Sequence, residues 1–319
     1  QQGGEDARQA CSVHLQPRRQ GGGAVQSQVA AARAHRVGLR VQQRPHVGLR
    51  GGRGRRCVGV HVAEDVDDQR AQLPRRAGGL GQLTGLGLVA IEWQLRRRVG
   101  IGALLAFATI WSPAMGMGFY NFCLSLALAL FAFAGWIRLE GRRLRWALFI
   151  PVRLLVWLCH ASGWGILGVL VFGYEWSRRK GLPAFVAPWP LMLPLIPAIL
   201  FAGETKGSLS YGDKPWTYKF AIFVQTLREQ SIGLDIVTLG FLVLLILVSL
   251  GFRKIDGRLG WAALAFAVLS LVMPRHFGGG DYADYRLMAV TLTVGCLAMS
   301  WQAPRWLFWL APLLFLARL

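Results

Sequence analysis

The amino-acid composition changes abruptly near residue 91, and this change limits what each part of the chain can fold into. Residues 1–90 contain no Phe, Tyr, Trp, Met, Ile, Asn or Lys. A folded domain has to bury enough apolar surface to offset an ordering cost of about 1–2 kcal/mol per residue. Residues 1–98 offer mainly Ala, Val and scattered Leu between glycine clusters. We therefore expect this Arg/Gly-rich segment to be disordered or poorly folded.

Two interpretations of residues 1–98 compete. The stretch GLRGGRGRR at 48–56 is typical of an arm that neutralises nucleic-acid phosphates. Base stacking needs aromatic rings, however, and the first one is Trp93, so we do not expect a nucleic-acid partner. The missing residue types, Trp apart, have codons that begin with two A or T bases. Their joint absence is typical of GC-rich DNA read in a wrong frame, which favours a mistranslated start.

Residues 99–319 contain apolar stretches long enough to cross a bilayer, which takes about 20 residues. Residues 116–137 carry no charge, and residues 234–252 carry only Asp235, so both are predicted spans. Further spans are predicted at 182–202, 260–273, 287–301 and 306–316. The sequence thus predicts an all-α, polytopic transmembrane bundle of about six to eight spans in a lipid bilayer.

Residues 146–176 form an apolar stretch that is too long for one upright helix and too short for two ordinary ones. One interpretation is a single long tilted helix. The other is a re-entrant or broken pair that turns at HASGWG, residues 160–165. Basic clusters flank both sides of the stretch, and the positive-inside bias favours placing both in the cytoplasm, which requires the broken pair. The sequence leaves both interpretations open.

The C-terminal spans predict where a polar site can form. If Arg253, Lys254 and Arg258 lie in the cytoplasm, the loops at 203–232 and 274–286 share the opposite face. Both loops hold charged residues. The sequence therefore predicts a polar site at that face of the membrane.

The stretch GGGDYADYR at 278–286 supplies the main candidate site residues, Asp281, Asp284 and Arg286. Here an acid can hold a divalent cation and an arginine can pair with a phosphate. The alternative is that Asp284 caps a helix beginning at Arg286. No metal site is predicted beyond this candidate divalent cation. The secondary candidates are Asp213, Lys214, Arg153, His160 and Asn121.

Arg153 and His160 stand out because ionisable groups inside a bilayer are costly and usually face a partner or a cavity. On one continuous helix they lie on the same face, about 10 Å apart. A proton or anion path is one interpretation. The other is an arginine that reaches an interface and a histidine that donates to a carbonyl. For Asn121 we expect an interhelical hydrogen bond.

Four motifs, in this order, resemble the C-terminal half of bacterial polytopic proteins related to the GT-C glycosyltransferases. They are GMGFYNFCLSLALALFAFAGW (116–136), LLVWLCHASGWGILGVLVFGYEW (154–176), KPWTYKFAIFVQTL (214–227) and GGDYADYRLM (279–288). The resemblance implies an enzyme of the bacterial cytoplasmic membrane that takes a sugar from a polyprenyl-phosphate donor at the extracytoplasmic face. It also implies that Arg286 contacts the donor phosphate.

The resemblance places the catalytic acid of such enzymes in the first extracytoplasmic loop. In this chain the Arg/Gly-rich segment occupies that region. Two other classes of function therefore stay open. One is a transporter or permease component, which kinked spans and an intramembrane arginine would fit. The other is a membrane subunit without chemistry of its own.

Overall fold

The computed structural model describes residues 65–192, 194, 196, 210–227, 231–277 and 280–301, without the side chains of 65–77, 189, 190, 277, 280 and 281. Within these ranges the protein is helical, apart from a short antiparallel pair of strands, β1 (His276–Phe277) and β2 (Gly280–Asp281). The helices are α1 (Asp65–Arg96), α2 (Ile101–Ala106), α3 (Pro113–Gly116), α4 (Tyr120–Arg138), α5 (Leu144–Cys159), α6 (Ala161–Arg179), α7 (Leu182–Val186), α8 (Pro215–Val224), α9 (Ile232–Gly251), α10 (Gly257–Val272) and α11 (Ala283–Ala298). The all-α class predicted from the sequence is confirmed for this part of the chain.

Two of the described helices, α4 and α9, are long and apolar enough to cross a membrane. They coincide with the two spans predicted at 116–137 and 234–252. Helices α10 and α11 occupy the predicted spans at 260–273 and 287–301, but each has 16 residues. The predicted span at 306–316 lies outside the described residues, as does most of 193–202.

The stretch at 146–176 is a broken helix pair. The break is at His160, whose backbone is extended, with φ −172° and ψ 131°. Arg145 near the start of α5 pairs with Glu175 near the end of α6, so the two helices fold back on each other as a hairpin. The alternative of a single tilted helix is therefore wrong. The hairpin also brings the two flanking basic clusters to one end, as the positive-inside bias requires.

Helix α1 corrects the expectation for the last third of the N-terminal segment. Residues 65–96 are helical, and Leu88 and Ile91 are fully buried. A Cβ atom on Gly87 would lie 2.8 Å from Cβ of Leu130, so this glycine allows α1 and α4 to pack closely. From Pro74 onward the described residues form one compact unit, and the boundary predicted at residue 98 falls inside it. Residues 1–64, including the proposed mistranslated start, lie outside the described residues.

Helix α6 is central to the packing and lies against both α4 and α10. A Cβ atom on Gly163 would lie 2.4 Å from Oγ of Ser125 in α4. A Cβ atom on Gly173 would lie 2.5 Å from the backbone nitrogen of Ala262 in α10. Such small residues at helix crossings let two backbones approach closely, as is common in membrane bundles.

The ends of these helices define two ends of the bundle. One end, the basic end, contains the Arg145–Glu175 pair. Helix α10 starts at the same end, because a Cβ atom on Gly257 would lie 3.1 Å from Oγ of Ser177 near the end of α6. The loop end holds His160, the end of α10 and the start of α11. Helices α4, α6 and α11 run from the loop end to the basic end, and α5 and α10 run in the opposite direction.

A charged network closes the basic end beside α1. Asp256 accepts hydrogen bonds from the backbone and the side chain of Arg258 and caps α10. Arg96 lies 3.6 Å from Asp256 and also pairs with Glu92. Burial alone would raise the pKa of Asp256, but Arg258 and Arg96 together hold it below its usual value.

Candidate functional site

The two C-terminal loops meet at the loop end, as the sequence predicts. Ser210 forms an antiparallel bridge with His276. Tyr211 adds a hydrogen bond of 2.7 Å from its hydroxyl to the carbonyl oxygen of Val272. These contacts join the segment before α8 to the segment after α10. They confirm that both loops share one end of the bundle.

A buried ion pair anchors α8 to this end. Nζ of Lys219 lies 2.6 Å from Oδ2 of Asp284, and both side chains are almost entirely buried. Nζ also donates to the carbonyl oxygens of Ser270 at 2.8 Å and Met273 at 2.5 Å. An ammonium group has three donors, so Lys219 is saturated. It binds the last carbonyls of α10 and the acidic first turn of α11, where the helix dipoles favour both charges.

Asp284 is therefore tied into the fold by several contacts. Besides Lys219, its carboxylate accepts from the backbone N–H of Tyr285 at 2.8 Å and lies 3.5 Å from the hydroxyl of Tyr218. It does not cap α11, because that helix begins at Ala283 and its N-cap is Tyr282, with φ +59°. The expected cap is thus shifted by two residues.

The divalent cation expected at this loop finds no ligand set in the described part of the chain. No group of three or more His, Cys, Asp or Glu residues converges there on a metal position. Asp284 is already paired with Lys219. Asp281 lies on β2, where its backbone pairs with His276, and its side chain lies outside the described part.

Arg286 lies one turn into α11 and faces the helix break. Its guanidinium carbon is 4.1 Å from the ring centroid of Phe119 and 5.7 Å from that of Phe122. Its Nη1 is 3.2 Å from Nε2 of His160. Two candidates that are 126 residues apart in sequence therefore come together, and the aromatic rings form one wall beside them.

The position of His160 decides which of its nitrogens carries the proton. The break between α5 and α6 makes it the N-cap of α6, with Nδ1 accepting from the backbone N–H of Ser162 at 3.1 Å. Burial, and then the charge of Arg286, lower the pKa of His160 below its usual value, so the ring is neutral at pH 7. With Nδ1 as acceptor, the proton of a neutral ring is on Nε2.

The His160–Arg286 pair consequently presents two donors to each other. With the tautomer that the Ser162 contact favours, Nε2–H of His160 and Nη1–H of Arg286 face one another across 3.2 Å. Two facing donors do not form a hydrogen bond with each other. An anionic oxygen placed beside the pair would accept from both N–H groups. The rings of Phe119 and Phe122 would form an apolar wall next to it.

Arg275 is a second cation of the loop end, which sequence reasoning missed. Its guanidinium carbon lies 4.8 Å from the ring centroid of Tyr218 and 5.1 Å from that of Tyr282. Its Nη2 lies 3.4 Å from the hydroxyl of Tyr282. Lys219 was missed as well. The available signal for Lys219 was a lone lysine inside the apolar, aromatic stretch KPWTYKF.

The remaining candidates do not join the His160–Arg286 pair. Asp213 and Lys214 are exposed in the turn before α8. Asn121 is exposed in the first turn of α4, and its side chain forms no interhelical hydrogen bond with the described residues. Arg153 is fully buried on α5, and its three guanidinium nitrogens have no hydrogen-bond partner in the described part of the chain.

Comparisons with known proteins leave the site to be interpreted on its own geometry. No family model, no curated protein and no solved structure matches the chain.

Proposed function

We propose that this is a multi-pass protein of the bacterial cytoplasmic membrane that binds a polyprenyl-phosphate-linked sugar at its loop end. In this proposal the His160–Arg286 pair holds the phosphate. The observation that carries the proposal is the pair of facing donors at 3.2 Å, beside Phe119 and Phe122. The motif resemblance to GT-C glycosyltransferases supports the same ligand.

Membrane embedding is supported by the outward surfaces of the helices as well as by the length of α4 and α9. In α9 the exposed side chains are apolar, and Val237 is 69% exposed. The same holds for the outward faces of α5 and α10, where Leu158 and Leu264 are exposed. Large contiguous apolar surface on a folded protein indicates contact with lipid or another apolar partner. We propose that these faces contact acyl chains.

The chemistry of the site fits a lipid phosphate. Arginine presents its donors in a planar fork that matches phosphate oxygens, and the bond is charge-assisted. Nε2–H of His160 adds a neutral donor. Phe119 and Phe122 supply apolar surface directly beside the cation. A polyprenyl phosphate joins an anionic head to a long apolar chain, so it requires both kinds of contact at one place.

We propose binding, and not sugar transfer, as the function of the described residues. Transfer needs an acid or base close to the phosphate. In the described part of the chain the carboxylate of Asp284 is held by Lys219. A GT-C-like transfer reaction therefore rests on the motif resemblance alone.

Binding to the full chain in nanodiscs tests the proposal. The probe is polyprenyl monophosphate carrying one hexose, titrated into phosphatidylcholine nanodiscs. Arg286→Gln removes a charge-assisted contact of about 1.5–3 kcal/mol, so we expect binding to weaken about 10- to 100-fold. His160→Asn keeps a side chain able to cap α6 and removes Nε2–H, so we expect a smaller loss.

Lys254→Gln is the control, because it removes one exposed positive charge at the basic end. It should bind the probe as the wild type does. If Arg286→Gln bound the probe as tightly as Lys254→Gln while remaining folded, the assignment of Arg286 to the phosphate would be wrong.

A further inference from the structure

A second site is a cavity at the basic end, far along the helices from the His160–Arg286 pair. The cavity has a volume of about 130 Å³ and is lined by Gly141, Arg142, Arg143, Arg145, Trp146, Arg179 and Ala187. One water molecule needs roughly 10–15 Å³ on such a measure, so the space admits a group the size of phosphate. Gly141 has φ +72°, which lets the chain turn tightly between α4 and α5 at the cavity wall.

The charge around the cavity is strongly positive. Four guanidinium groups line it, and the carboxylate in contact with them is Glu175, which pairs with Arg145 and lies 3.3 Å from Arg179. Arg142 and Arg143 are exposed and form no ion pair with the described residues. Among the described residues, four arginines and one carboxylate therefore leave a net charge of about +3 beside the cavity.

The inner wall of the cavity is rigidly supported. Arg145 is buried, and its guanidinium carbon lies 3.5 Å from the ring centroid of Trp136. The indole N–H of Trp136 donates to Glu175 at 3.0 Å, so these three side chains hold one another. Nε of Arg145 has no hydrogen-bond partner in the described part of the chain.

An apolar stripe leads away from the cavity along α5. It begins at Trp146, which lines the cavity and is 43% exposed. Ile150, Leu154 and Leu158 follow at intervals of four residues, and all three are exposed. Residues four apart share one helix face, so the stripe is continuous. Tryptophan at its end is typical of the membrane–water interface.

From this arrangement we propose that the cavity binds the head group of an anionic phospholipid, with its phosphodiester among Arg142, Arg143 and Arg145 and its acyl chains along the α5 stripe. The basic end lies in the cytoplasm by the positive-inside bias, where anionic lipids occur. Basic clusters at that surface attract such lipids. A soluble phosphate would use the cavity but not the stripe, so the two features together select a lipid.

The site is independent of the polyprenyl-phosphate proposal and shares with it only the membrane location. It uses different residues at the opposite end of the bundle. Loss of lipid binding at Arg142 and Arg143 therefore leaves the His160–Arg286 pair intact. Failure of either proposal is visible without failure of the other.

Native mass spectrometry of the full chain released from nanodiscs tests the lipid site. The nanodiscs contain equal parts of phosphatidylglycerol and phosphatidylcholine, and the measured quantity is the preference for retained phosphatidylglycerol. Each arginine near an anionic surface contributes about 1 kcal/mol, so Arg142→Gln/Arg143→Gln should lower the affinity about 30-fold. Higher salt should weaken binding in the wild type.

Arg98→Gln/Lys254→Gln is the matched control, because it removes two exposed positive charges from the same end of the bundle. The control should keep the wild-type preference. Glycerol phosphate at millimolar concentration should not displace the lipid. The proposal is overturned if the control loses as much preference as Arg142→Gln/Arg143→Gln, if neither variant loses any, or if glycerol phosphate displaces the lipid.

Discussion

Replacing Lys219 with methionine should be among the most destabilising single changes in this protein. Lys219 and Asp284 are 5% and 0% exposed, so the change leaves a carboxylate buried without its counter-charge. Breaking a buried ion pair in this way costs about 3–5 kcal/mol. The carbonyl oxygens of Ser270 and Met273 lose their donor as well. We expect the free energy of unfolding to fall by about 4 kcal/mol.

The reasoning predicts a specific pattern in a double-mutant cycle. Asp284→Leu alone leaves the ammonium group buried and should cost a similar amount. The double variant Lys219→Met/Asp284→Leu buries no charge and should lie within about 1–2 kcal/mol of the wild type. The two single effects should therefore be non-additive by several kcal/mol, as is typical of residues in direct contact.

The measurement is equilibrium unfolding of the full chain in mixed micelles by titration with sodium dodecyl sulfate, followed by tryptophan fluorescence. Lys214→Met is the control, because Lys214 is exposed and immediately precedes α8. It should change the free energy of unfolding by less than about 0.5 kcal/mol. A Lys219→Met variant as stable as Lys214→Met, or a double variant as unstable as the sum of the singles, would refute the ion-pair argument.

Three further predictions use the same unfolding measurement. Gly173→Ala should lower the free energy of unfolding by about 1–3 kcal/mol, because the added Cβ would meet the backbone of Ala262. A Cβ on Gly168 would meet nothing within 4 Å, so Gly168→Ala should be neutral or stabilising. Equal effects of the two changes would contradict the packing argument. Asp256→Asn should cost about 1–3 kcal/mol at pH 7. The pKa of Asp256 is lowered in the folded protein, so the ionised carboxylate stabilises the fold. That stabilisation is complete above the unfolded pKa of about 3.9 and is lost as the pH falls through the folded pKa. The destabilisation caused by Asp256→Asn should therefore become smaller in acid. Arg153→Met should stabilise the protein by about 1–4 kcal/mol, since it removes a buried charge that pairs with none of the described residues. Destabilisation would contradict this account of Arg153.

The most predictable part of the fold is α4 and α9, because a long apolar stretch has few alternatives to a helix. The basic clusters on both sides of residues 146–176 predicted the broken helix pair at His160 as one of two alternatives. Helix α1 was not predictable from composition. A glycine such as Gly87 opposes a helix locally, but a close neighbour such as Leu130 outweighs that cost once the helices pack.

The sequence identified His160 and Arg286 as candidate residues, but it did not predict that they lie next to each other. His160 and Arg286 each stood out as charged or titratable groups in apolar sequence. Their contact depends on where a helix break meets the start of α11, which no local pattern encodes. Lys219 was missed for the same reason, because its partner Asp284 is 65 residues away. An ion pair across that separation follows from tertiary packing alone.

If the protein is embedded in a membrane as proposed, the unequal lengths of its helices have a consequence for how it enters that membrane during synthesis. Helix α5 has 16 residues and spans about 24 Å, short of the roughly 30 Å of hydrocarbon, and it carries Arg153 and Pro151. We expect α5 to leave the translocon only together with α6, as a hairpin held by Arg145 and Glu175. Helices α4 and α9 should insert unaided. A glycosylation reporter placed after α5 or after α6 should show that α5 alone fails to insert.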